Sequence, residues 1–268
     1  MALFNEVFNR ANIYDMLFFN IKAVLIHPTL DDLREKNPVF YKRWRHLYAT
    51  KYLPVEINYD LDSEHIKLVE DEIYLEKAIY YPEFSKIIAI TYASLTSENG
   101  QPQRFFKKIV NEDEFIVIAT FIDVLHQLSS EGVKSTPKYF PMLCGHNIIN
   151  YDIPLLIKRF VLHKKKFETN KQLPFLLKNC LDSKPWESTV VDTVNVWKFN
   201  GNDYTPLMLI ADYLDLKKTT DLDTLIDVSK NYWKTINENP EQTLEYVALQ
   251  SATQTNLVMQ LINELRQL

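Results

Sequence analysis

Glycine is nearly missing from this chain, with four in 268 residues. That excludes the glycine-rich phosphate loops of P-loop and dinucleotide-binding proteins, whose backbone must approach a phosphate closely. Cysteine is scarcer still. Cys144 and Cys180 stand alone without CxxC spacing, so there is no sign of a zinc site or a disulfide framework, and a reducing intracellular compartment is expected. No apolar run approaches the roughly 20 residues of a membrane-spanning helix. The opening MALFNEVFNR has no basic stretch followed by an apolar one, so no signal peptide is expected. Internal repeats and low-complexity linkers are absent too.

Positive charge is also short. The net charge is −5, whereas a protein that grips many phosphates is usually basic or carries a basic patch. The densest basic cluster is HKKKF, His163 to Phe167, which reads as a solvated helix end rather than a phosphate contact. Charge thus leans against nucleic acid as a partner, although a metal-dependent nuclease can be acidic because its ions hold the phosphate. What is abundant is apolar and aromatic material, at 46% and 13%. That is ample for a buried core and for a contact surface.

Periodicity organises the chain. MLFFNIKAVLI, Met16 to Ile26, is an apolar run broken only by Asn20 and Lys22, which predicts a buried central strand. Residues 1–14 read as an arm or short helix. Residues 28–82 read as a helical insertion, with helices near 38–52 and 62–80, the second capped by Asp62 or Ser63. IIAITYASL and QRFFKKIV read as strands joined at Asn99-Gly100, a hairpin signal. An amphipathic helix follows from about 111, then a short strand within KYFPMLCGHN. YDIPLLIKRFVLHKK forms a helix with Pro154 in its first turn, where proline is tolerated. STVVDTVNVW is a short strand or extended segment that runs into a helix. TPLMLIADYLDL and a long C-terminal helix from Asn239-Pro240, continuous or broken, complete the order. The expected architecture is α/β, one domain over 1–268, with a mixed sheet flanked by helices.

The segment LCGHNIINYDIPLLIKRF carries a resemblance. It is similar to the second motif of the DEDD 3′–5′ exonucleases, the DnaQ-like branch of the ribonuclease H-like superfamily, in which His-Asn and then aromatic-Asp-x-Pro-x-Leu close a strand and open a helix. YYPEFSKIIAIT, KPWESTVVDTVNVWKF and EYVALQSATQTNLVMQL extend the likeness, in order, to bacterial proteins related to the exonuclease domain of family B DNA polymerases. The resemblance covers about 16–265 and implies a ribonuclease H-like fold. It also implies a catalytic plan: four acids hold two divalent ions, which activate a water and stabilise the leaving oxygen.

At three of the four acid positions this chain departs from that plan. The first strand places Asn20 and Lys22 where the family has Asp-x-Glu, Asp152 is kept, and the third motif keeps Tyr246 but reads Gln250 for the final Asp. Carboxamides cannot offset two dications, and Lys22 adds a positive charge where a metal would sit. Like charges a few ångströms apart cost several kcal/mol even at an effective dielectric near 20. Neither a two-metal site nor any other cofactor is therefore expected, and no catalytic activity. A Lys22–Asp152 pair, completed by Asn20, Gln250 and Tyr246, would replace the metals. The resemblance then implies an exonuclease-like protein reused as a structural or protein-interaction component of a larger assembly, such as a virion or a replication complex. The alternatives are an active exonuclease dependent on Mg²⁺ or Mn²⁺, and a metal-free binder of single strands.

Other residues invite a bland reading. His146 and Asn147 read as structural parts of the helix opening. Asp192 reads as a cap or core acceptor. Trp186, Trp197 and Trp233 could stack on bases, but packing is the default.

Overall fold

The computed structural model describes residues 12–52, 64–98, 101–134, 141–167, 172–182, 189–199, 201 and 203–267. The proposed cap at Asp62 or Ser63, the Asn99-Gly100 turn, Trp186 and nearly all of the N-terminal arm lie outside them. The chain forms two compact units. One comprises Met1–Lys22, Ile87–Leu222 and Leu244–Leu268; the other comprises Ala23–Lys86 and Asp223–Thr243.

Five strands make one sheet: β1 (Met16–Leu25), β2 (Ser85–Glu98), β3 (Gln101–Val110), β4 (Met142–Gly145) and β5 (Val190–Asp192), in the order β3-β2-β1-β4-β5. β2 and β3 are antiparallel, while β4 runs parallel to both β1 and β5. The architecture is therefore α/β with a mixed sheet, and helices follow β1 as expected. β1 is buried along its whole length, because it is central and covered on both faces. On one face, Phe19 packs on Phe121 of a helix at Glu114–Lys134, ring centroids 5.7 Å apart. On the other, Met16 and Phe18 join a core with Leu257, Leu261, Ile262 and Leu265 of the last helix, Pro240–Leu265. Burying a side chain such as Phe18 contributes about 2–3 kcal/mol. That last helix is continuous, since no proline or glycine interrupts residues 241–265.

In chain order the described α-helices are α1 (Leu30–Lys36), α2 (Pro38–Leu47), α3 (Glu64–Lys77), α4 (Glu114–Lys134), α5 (Asp152–Leu162), α6 (Phe175–Asp182), α7 (Thr193–Trp197), α8 (Leu207–Tyr213), α9 (Leu225–Thr235) and α10 (Pro240–Leu265). Three of them, α1, α6 and α9, are not anticipated by the periodicity above. The second unit packs α1–α3 around Trp44, which stacks on Tyr48 and meets Tyr74 and Phe84 edge-on.

Candidate functional site

The polar residues of β1 lie where its partner runs out. β4 pairs with β1 only from Met16 to Phe18. Beyond that point the backbone of β1 needs other partners on this side, because an unpaired buried N–H or C=O is costly. Asp152, the first residue of α5, supplies one: its Oδ1 accepts the Ile21 N–H at 2.7 Å. From α10, Ser251 Oγ donates to the Asn20 carbonyl at 3.0 Å. The Asn20 Nδ2 lies 3.5 Å from the same Asp152 oxygen, and Asn20 Oδ1 is buried with no hydrogen-bond partner among the described residues.

Lys22 is two residues on, so it shares a strand face with Asn20. It is only 3% exposed. Its Nζ donates to Gln254 Oε1 at 2.7 Å, and its charge acts on Asp152 as a field that lowers the carboxyl pKa. Asp152 is 2% exposed. Burial is the largest influence on it and pushes its pKa up to about 7, against the Ile21 hydrogen bond and Lys22, with the Asp192 charge adding to the rise. Asn20, Lys22 and Asp152 are thus brought together. Gln250 is buried one turn before Gln254 on α10, and its Nε2 donates to the Asp221 carbonyl at 3.0 Å. Tyr246, another turn earlier, is half-buried. Glu245 turns elsewhere, to Lys108 at 2.6 Å on the surface. Gln254 is the participant that the sequence reading missed. Its signal was there, since residues 246, 250 and 254 fall on one helix face.

The turn from β4 into α5 is built on Asp192. Its two oxygens accept the N–H groups of Asn147 (2.8 Å), Ile149 (3.0 Å) and Val194 (3.0 Å), the last as the N-cap of α7. Burial raises its pKa, against these three donors. Asn147 adopts φ 64°, a left-handed conformation that asparagine tolerates better than most residues. Gly145 sits beneath: a Cβ there would meet Ile148 Cγ2 at 2.2 Å and the Phe19 carbonyl oxygen at 2.9 Å. His146 is buried, its Nε2 3.1 Å from the Thr205 carbonyl and its Nδ1 2.9 Å from Thr193 Oγ1. Burial holds its pKa down at about 4, so the ring is neutral at pH 7. Nε2–H donates to the carbonyl, which leaves Nδ1 as an acceptor facing Thr193 Oγ1, a hydroxyl that also lies 3.1 Å from the Gly145 carbonyl. A ring locked between two partners is structural rather than a free base.

The remaining sites are plain. Lys164–Lys166 form an exposed turn, with Lys166 against the Phe115 ring. Trp197 packs on the core of the first unit. Trp233 Nε1 donates to the Leu25 carbonyl at 2.9 Å.

Two dications do not fit this set of donors. One carboxyl, already bonded to a backbone amide, stands beside the Asn20 carboxamide, while Lys22 is held by Gln254 and Gln250 is turned to the Asp221 carbonyl. Among the described residues no three His, Cys, Asp or Glu side chains gather as a metal site would need. Nor is any helix of the described residues long and apolar enough to cross a membrane. Comparison of the chain with protein-family models, with curated proteins and with solved structures found no match.

Proposed function

We propose that this chain is a ribonuclease H-like, exonuclease-like protein without nuclease activity, used as a structural or protein-interaction component of a larger assembly. The sheet order β3-β2-β1-β4-β5 supports the fold. The observation that carries the functional reading is the use of Asp152. The one acid kept at the four positions is spent on the Ile21 N–H, and the buried charge of Lys22, held by Gln254, acts on it and repels cations. What would be a metal cleft is instead a buried polar seam that ties β1 to α5 and α10.

The outer surface supports a role in protein contacts. Leu209 is 59% exposed and Tyr213 82% exposed. They stand four residues apart on α8 and so share a face. Tyrosine offers a large contact area at a small cost in entropy.

The test is incubation of the purified full chain with labelled single-stranded DNA and Mg²⁺ or Mn²⁺. No nucleotide release is expected. In the triple variant Asn20→Asp, Lys22→Glu, Gln250→Asp, Mn²⁺ is expected to raise the melting temperature, as it does not for the parent. Metal-dependent release by the parent, abolished in Asp152→Ala, would overturn the proposal. Tight, salt-sensitive binding of single strands would replace it with the metal-free binder.

A further inference from the structure

The second unit holds a cavity of about 360 Å³ that takes no part in the seam. Its apolar lining comes from Leu25 at the end of β1, Leu75 of α3, and Ile226 and Trp233 of α9. The volume falls at the low end of the roughly 300–1,000 Å³ typical of small-molecule sites, which suits a compact ligand rather than a nucleotide or a long lipid chain.

The polar lining is one-sided in its chemistry. Lys230 and Lys234 line the cavity and are exposed. Four residues apart on α9, they are neighbours on one helix face. The other two polar groups are hydroxyls of Thr29 and Ser229. Ser229 Oγ accepts the Leu25 N–H at 2.9 Å, and Thr29 Oγ1 accepts the Asp32 N–H at 3.1 Å. Each hydroxyl therefore keeps its own proton to give. None of the described lining residues is acidic. The apolar wall disfavours polar groups, and the polar side chains of the lining are two cations and two hydroxyls.

From this pairing we infer that the cavity binds a small amphipathic carboxylate: a medium-length aliphatic or aromatic body on the apolar wall, with its anionic end between Lys230 and Lys234. The site is separate from the seam at Asp152, and the inference stands or falls independently of the proposed function.

Octanoate, and octanol as its uncharged counterpart, are the probes. Titration into the full chain is followed by the indole N–H resonance of Trp233, assigned by its loss in Trp233→Phe. Because that N–H donates to the Leu25 carbonyl on the cavity wall, it reports binding there. Octanoate is expected to shift it with a dissociation constant of roughly 0.1–1 mM. Octanol should bind about tenfold more weakly. The double variant Lys230→Ala, Lys234→Ala should lose about tenfold for octanoate and nothing for octanol, a size set by two solvent-facing charges. Both lysines are exposed, so the variant keeps its fold. Lys164→Ala with Lys165→Ala, on the other basic cluster, should change neither affinity. Equal binding of octanoate and octanol would overturn the inference. So would wild-type octanoate affinity in the Lys230/Lys234 variant, or an unmoved Trp233 resonance at 10 mM, about ten times the weakest expected constant.

Discussion

The carboxyl of Asp152 accepts the backbone N–H of Ile21 at 2.7 Å, and neither residue is more than 2% exposed. A side chain at the start of a helix thereby continues a sheet ladder that β4 is too short to complete. Asp152 thus has a structural task of its own: the strand needs an acceptor at Ile21, and the carboxyl supplies it.

Replacing Asp152 by Asn should therefore be tolerated, and increasingly so as pH rises. The folded-state pKa of about 7 lies above the unfolded value near 3.9. Between those values the folded chain keeps a proton that the unfolded chain has released. The contribution of this group to stability is greatest at low pH and falls as pH rises to 7. An amide keeps the Ile21 acceptor and never ionises. Relative to the parent, Asp152→Asn should gain roughly 2 kcal/mol between pH 5 and pH 8. Urea unfolding of both proteins at the two pH values measures this, and an unchanged difference would count against the raised pKa.

Asp192→Ala should be severe. It strips an acceptor from the N–H groups of Asn147, Ile149 and Val194 at once. At about 1–3 kcal/mol for the buried Val194 donor left unsatisfied, and less for the part-buried Asn147 and Ile149 donors, a loss of roughly 2–4 kcal/mol is expected. Hydrogen exchange should quicken first at residues 147–151. Asp192→Asn, which keeps one acceptor oxygen, should lose less.

Gly145→Ala should also destabilise, by roughly 1–3 kcal/mol. The Ile148 side chain can shift away from a new Cβ, but the Phe19 carbonyl oxygen at 2.9 Å belongs to the central strand and cannot easily move. Thermal unfolding decides it: a melting temperature equal to the parent's would mean that β4 is free to slide.

Much of this fold was legible from local pattern. The apolar run at Met16–Leu25, the paired strands of β2 and β3 and the long last helix all follow from composition and period. The short helices were harder, because seven to eleven residues give little periodicity. Their caps were nevertheless written in the sequence. α1 and α9 both open on Thr-Leu-x-Asp, with Thr29 Oγ1 accepting the Asp32 N–H and Thr224 Oγ1 the Asp227 N–H, a variant of the capping box. The seam was half legible. That Asn20 lies against Asp152, with Lys22 on the same strand face, follows from strand alternation and the residues before α5. That Asp152 would be held by a backbone amide depends on where β4 stops, which no residue in β1 encodes. Gln254 as the partner of Lys22 depends on how far α10 reaches along the strand.

The short reach of β4 has a spectroscopic consequence. The Ile21 amide proton points at an oxygen whose charge changes near neutral pH, through a single hydrogen bond and out of contact with water. Its chemical shift is thus a titration curve for a group that no solvent-borne probe can touch. Any event that alters the seam, from a partner docking on α10 to a cation forced in beside Lys22, would register first as a displacement of that one resonance.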